Sequence, residues 1–219
     1  MWSVSPRPWP FPGEDGEAPE FKYDPHVWTS PKQAKIQVDN IVNTLSQASP
    51  QAKDAFTAAG KKYTDQLEDL DKWASDSMSA VPEQDRVLFS SHDAFGYFSN
   101  EYGVKFIGSA LSDFNHQQDA TSSHIDEQVK KVRESGAKAI FAENSNSSKS
   151  IEAIARAAGV KAVTSDDALY GDSLGVPGSE GETYIGSIVH NINTLVSAWD
   201  SKQQPLPESL QEFDVAKRK

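Results

Sequence analysis

The chain contains no cysteine. Disulfides and thiolate metal sites are therefore excluded, and any metal must be held by nitrogen and oxygen ligands. The absence is compatible with an oxidising compartment. There is no excess of positive charge: the formal net charge is −11 over 219 residues. With no basic patch to neutralise phosphates, a nucleic-acid partner is not expected. The acidity is read first as solubility, and only second as a mild attraction for cations. No run approaches the roughly 18 apolar residues of a membrane helix. No H-E-x-x-H pair is found, and the G-x-S-x-G match Gly171-Asp172-Ser173-Leu174-Gly175 falls in a loop and not at a strand-to-helix elbow, which argues against the common zinc and nucleophilic hydrolases. Histidine is also scarce, and none occurs before His26.

Three short segments, far apart, each carry one residue suited to holding a metal. They are Asp24-Pro25-His26-Val27-Trp28, Ser91-His92-Asp93-Ala94-Phe95-Gly96-Tyr97-Phe98, and Leu169-Tyr170-Gly171-Asp172-Ser173-Leu174. Neutral imidazole with carboxylate suits zinc and its neighbours. Spacings this long require the fold itself to build the site.

The surroundings of these residues bear on their roles. Pro25 stiffens the approach to His26. His92 lies between an apolar strand and a helix, at the carboxyl edge where open α/β folds gather ligands. Ser91 or Asp93 could instead cap that helix. Gly171 and Ser173 make a turn role for Asp172 a real alternative, and Asp166 and Asp167 compete with it on charge. Glu143, at the end of another apolar strand, could accept from a ligating imidazole N–H or bond the next helix. His116 and His124 flank a polar loop and are expected to be exposed. His190 falls on the last helix and is expected to pack or cap there.

Pattern along the chain sets the architecture. Five prolines within residues 1–23 forbid helix and read as extended loop. Ser30 and Pro31 start a helix whose apolar stripe includes Ile36, Ile41, Val42 and Leu45. From Gln51 to about Met78, apolar residues at steps of three and four predict one long helix. At 1.5 Å per residue it spans roughly 40 Å. After Pro82 the chain alternates: strands over 86–90, 104–108, 137–142 and 160–164, and helices over 94–102, 122–135, 149–158 and 184–199. Alternating βα units predict a mainly parallel sheet covered on both faces. Residues 201–219 are polar, with Pro205 and Pro207, and read as a loose tail.

Together the three motifs, with Gly178-Ser179-Glu180-Gly181-Glu182-Thr183-Tyr184 and His190-Asn191, resemble the zinc and manganese solute-binding proteins of bacterial ABC importers. The resemblance covers about Asp24 to Trp199. It implies an α/β, two-lobe protein with a long connecting helix, whose C-terminal lobe is a mainly parallel sheet flanked by helices. The corresponding division is 1–49 as the remnant of an N-terminal lobe, 50–81 as the connecting helix, and 82–219 as the C-terminal α/β lobe with its tail. The family's ligand Asp precedes Ser in this loop, which selects Asp172, so the implied ligand set is His26, His92 and Asp172. Glu143 and Asp93 are candidates for the surrounding shell. Histidine at 92 favours Zn(II), because manganese members usually carry a carboxylate there; Mn(II) or iron is the alternative. The implied role is extracytoplasmic capture of the metal for a membrane permease, as a monomer, not as an enzyme. The alternatives are an adhesin or metal chaperone on the same scaffold, or a zinc-dependent hydrolase using Glu143 or Asp93 as base. Family members place a complete lobe and a further ligand His before Asp-Pro-His. With 23 residues there and no signal segment or lipoprotein cysteine, the chain reads as a shortened or mature form with an incomplete N-terminal lobe.

Overall fold

A computed structural model describes residues 23–111 and 122–214. The proline-rich segment and His116 lie outside the described residues, as does the His124 side chain.

Helix α1 (Pro31–Ala48) starts where Ser30 and Pro31 predict it, with the Ser30 hydroxyl accepting from the Gln33 N–H. Helix α2 (Lys53–Ser79) is the long helix. The two pair closely at Gly60: a Cβ there would stand 2.3 Å from a Val42 methyl carbon. Val42 thus faces α2, while Ile41 and Leu45 of the same stripe turn outward, 56% and 42% exposed. The C-terminal half of α2 is different. Leu67, Leu70, Trp73, Ala74 and Met78 are all buried.

The remaining elements alternate as the pattern predicts: β1 (Val87–Ser90), α3 (Gly96–Tyr102), β2 (Lys105–Ser109), α4 (Ser122–Ser135), β3 (Ala139–Phe141), α5 (Lys149–Ala158), β4 (Lys161–Val163) and α6 (Tyr184–Ala198). β1 pairs with β2 and β3 with β4, both in parallel. Where one sheet was expected, the ladders form two two-stranded sheets, with β1 lying against β3. Side chains occupy the seam beyond the strand ends. The Glu143 N–H donates to Ser91 Oγ, and the His92 N–H donates to the Glu143 carboxylate. Backbone donors that could extend a ladder are taken there.

Both faces are covered, as parallel strands require. Leu88, Ala139 and Phe141 join a core with α2, α3 and α6. Val87, Phe89 and Ile140 face the opposite way, into a second cluster with α4 and α5. The expectation of a loose tail is corrected within residues 201–214. Leu206 and Leu210 are buried in the first core, and a 3-10 turn spans Glu208–Phe213. Two leucines in a polar stretch were enough to dock it. Among the described residues, no helix is long and apolar enough to cross a membrane.

Candidate metal centre

All three motifs come together above the carboxyl ends of the strands. His26 sits in the turn that opens a short 3-10 segment, Val27–Thr29. That turn is tied down by its neighbours: Tyr97 Oη donates to the Asp24 carbonyl at 3.2 Å, and Tyr184 Oη to the Trp28 carbonyl at 2.8 Å. Trp28 Nε1 donates to the Gly171 carbonyl at 2.9 Å, joining the first motif to the third. His92 follows β1 directly. The backbone bridge between Glu143 and Leu169 continues the β3–β4 pairing and leads the chain to Tyr170 and Asp172. Asn191 of α6 holds this approach by a reciprocal pair of 2.8 Å bonds to the Tyr170 backbone.

One ligand atom each from His26, His92 and Asp172 lies within 4.8 Å of the others. Asp172 Oδ2 is 2.8 Å from His92 Nε2, and Oδ1 is 3.5 Å from His26 Nε2. Two donors on a tetrahedral zinc at ~2.1 Å stand ~3.4 Å apart, so the widest pair must close by up to roughly 1.4 Å. Both imidazoles are buried; the Asp172 side chain is 28% exposed and marks the open side. The rings of His26 and His92 meet edge to face at 5.4 Å.

Each imidazole has a carboxylate behind it. Asp24 Oδ1 lies 2.7 Å from His26 Nδ1 and also accepts the His26 backbone N–H at 2.9 Å. Glu143 Oε2 lies 2.7 Å from His92 Nδ1, and Oε1 accepts the His92 backbone N–H at 3.0 Å. A proton on Nδ1 leaves the Nε2 lone pair free to ligate. Burial alone lowers the basicity of His92, but the carboxylates of Asp172 and Glu143 outweigh it and push its pKa up to about 10. Without metal, a proton occupies this imidazole at neutral pH.

Of the two readings open for Glu143, it lies against His92 rather than bonding the next helix. Asp93 is buried, but the N-cap position of α3 is Phe95 and carries no side-chain capping bond, so Asp93 does not cap that helix. Ser91 is likewise used elsewhere, accepting from Glu143. Asp166 and Asp167 fall in a short 3-10 turn, outside the ligand cluster. His190 is buried in α6, with Nδ1 3.0 Å from Glu180 and Nε2 3.1 Å from the Ala168 carbonyl, a structural role. It borders a cleft of 730 Å³ that contains none of the three ligands. A smaller apolar cleft of 330 Å³, with Trp28, Leu174 and Tyr184 on its walls, adjoins Asp172.

Sequence reasoning missed two residues. Asp24 stands inside the quoted motif, and its spacing of two from His26 was the available signal. Gly171 is the other: a Cβ there would stand 2.4 Å from Glu143 Oε2. Only glycine lets the Asp172 loop pass so close to the carboxylate behind His92.

The chain is similar to known metal-binding proteins. The family model described as zinc-uptake complex component A, periplasmic, matches residues 5–198. The manganese-binding lipoprotein MntA of Bacillus subtilis is 41% identical over 178 residues, covering 80% of this chain and 58% of that protein. The zinc-binding protein TroA of Treponema pallidum is 32% identical over 181 residues, covering 82% and 58%. The solved structure of the periplasmic zinc-binding TroA superposes with a TM-score of 0.75 at 30% identity, covering 85% of this chain and 67% of that one. A manganese-bound periplasmic metal-binding protein from Candidatus Liberibacter asiaticus shares the fold, with a TM-score of 0.70 at 22% identity. The chain thus spans a little over half the length of these curated relatives.

Proposed function

The chain belongs to the periplasmic zinc-uptake complex component A family, and from that premise we propose that it is the substrate-binding component of a metal ABC importer. Its cargo is a divalent transition metal, with zinc first. His26, His92 and Asp172 are the ligands, and a membrane permease receives the metal on the extracytoplasmic side. The observation that carries the reading is the convergence of two Nε2 atoms and one carboxylate, drawn from three distant motifs. Two imidazoles to one carboxylate favour zinc over harder cations. One observation favours manganese instead: the 41% identical Bacillus relative is named for it.

The protein acts as a receptor and not as an enzyme. Glu143, the base that a hydrolase would need, is occupied against the main-chain N–H and the ring Nδ1 of His92. The division at 1–49, 50–81 and 82–219 belongs to the same proposal, with the second half of α2 packed into the core of the third unit.

Calorimetric titration of the metal-free chain with Zn(II) and Mn(II), with metal content measured after dialysis, tests this. One metal per chain and tighter zinc binding are expected. Tighter manganese binding would transfer the reading to the alternative cargo, and no binding of either would overturn it.

A further inference from the structure

Resting on that reading of the centre, we propose that Asn144 is a positioning residue for the Asp172 ligand, stapling the chain on both sides of it. Asn144 follows the backbone bridge between Glu143 and Leu169. Its main-chain N–H donates to the Leu169 carbonyl at 2.9 Å, ahead of Asp172 in the chain. Its side-chain Nδ2 donates to Ser173 Oγ at 2.9 Å and to the Ser173 carbonyl at 3.2 Å, directly after Asp172. The Leu174 carbonyl lies 3.4 Å from the same nitrogen.

The two sides of Asp172 are not held alike. On the amino side, Asn191 bonds the Tyr170 backbone twice, and Trp28 Nε1 donates to the Gly171 carbonyl. On the carboxyl side, Leu174 is 52% and Val176 73% exposed, so burial does not fix the chain there. A later backbone tie, from the Gly175 N–H to the Gly181 carbonyl, lies within the loop itself. The Asn144 amide joins this side to the strand ends. Its chemistry suits the task, because an NH₂ offers two hydrogens and carbonyls can only accept. With the tie in place, the Asp172 oxygens face His92 Nε2 at 2.8 Å and His26 Nε2 at 3.5 Å. Without it, a carboxylate on the open side of the centre gains freedom to turn outward. Ordering it again would then be charged against metal binding.

One substitution separates positioning from charge. Asn144→Asp presents only acceptors to the Ser173 and Leu174 carbonyls, so the tie is lost. It also adds a negative charge beside the centre, which by its field alone would draw a divalent cation more strongly. Positioning predicts weaker binding where the field predicts tighter.

The experiment compares wild type, Asn144→Ala, Asn144→Asp, Asp172→Ala and the double variant Asn144→Ala/Asp172→Ala. Zinc affinity is read by competition with a chromophoric chelator. The visible spectrum of bound Co(II) reports the ligand set. Both Asn144 variants should lose about three- to tenfold in zinc affinity, the worth of an ordinary hydrogen bond. Their Co(II) spectra should move away from the wild type, toward that of Asp172→Ala. In the Asp172→Ala background, Asn144→Ala should change nothing, because its effect runs through the ligand.

Wild-type affinity in Asn144→Ala, tighter binding in Asn144→Asp, or the same loss with Asp172 absent would each overturn the assignment. If Asp172→Ala binds too weakly to titrate, the Co(II) spectra of the Asn144 variants decide: a changed spectrum supports the staple and a wild-type one removes it. If Asn144→Ala does not fold, Asn144→Asp decides by the sign of its effect. If the wild type binds neither zinc nor manganese, the transport reading fails separately. Hydrogen exchange at residues 172–174 of the metal-free proteins then decides, with faster exchange in Asn144→Ala supporting the staple and equal exchange removing it.

Discussion

At the residue scale, the proposed centre joins three side chains with opposing demands on protons. His92 has its pKa raised to about 10 from an ordinary 6.5 by Asp172 and Glu143. A group raised in the folded state stabilises it fully below the unfolded pKa, and that contribution is lost as pH rises through the folded one. The metal-free protein should therefore lose thermal stability between about pH 7 and 10, and His92→Ala should show a flatter dependence. Scanning calorimetry in EDTA across that range measures both. Zinc must displace the same proton, so its affinity should climb with pH from 6 to 8.5, with proton release visible in buffers of different ionisation enthalpy. Removing a ligand is a larger change. His92→Ala or His26→Ala should weaken zinc by about two orders of magnitude or more, where each 1.4 kcal/mol is tenfold. Equal affinity in wild type and His92→Ala would remove His92 from the centre.

At the scale of elements, the site depends on strand ends and on one tight passage. Gly171 lies against Glu143 with no room for a Cβ. Gly171→Ala should displace Glu143 or the Asp172 loop and cost about ten- to hundredfold in zinc affinity, as other losses of outer support do. The far-ultraviolet circular dichroism spectrum should not change, which separates this from unfolding. The long helix invites a second test. Leu70 is fully buried among α2, α3 and α6 residues, so Leu70→Ala should cost about 2–5 kcal/mol in denaturant unfolding. Leu45→Ala, on the exposed end of α1, should stay within about 0.5 kcal/mol.

At the scale of the whole molecule, one core runs from Ala34 through α2 and α6 to Leu210. In the proposed function, metal binding would join segments that begin near residues 24, 91 and 169. A ligand that binds only the folded form stabilises it by RT ln(1 + [L]/Kd), about 2.7 kcal/mol at a hundredfold excess over Kd. Zinc should accordingly raise the unfolding temperature of the wild type and leave that of His92→Ala nearly unchanged. Leu210→Ala should destabilise both forms equally, because Leu210 belongs to the core and not to the ligand cluster.

Much was determined locally and was legible in the residues. Ser30 with Pro31 starts α1, steps of three and four make α2, and short apolar runs between helical stretches make parallel strands buried on both faces. Those patterns express propensity and periodicity, which act over a few residues. The motifs held His26 and His92, and the family resemblance selected Asp172 over Asp166 and Asp167; the structure brings these three side chains together. The tertiary structure decided what depends on residues distant in sequence. It made two parallel ladders of the expected sheet, β1 with β2 and β3 with β4, with β1 lying against β3. It docked Leu206 and Leu210 of a polar tail into the core. It placed Glu143 on His92 across 51 residues and threaded Gly171 past that carboxylate. Periodicity carries no information about such pairings, because they are set by which strand ends the packed helices bring together.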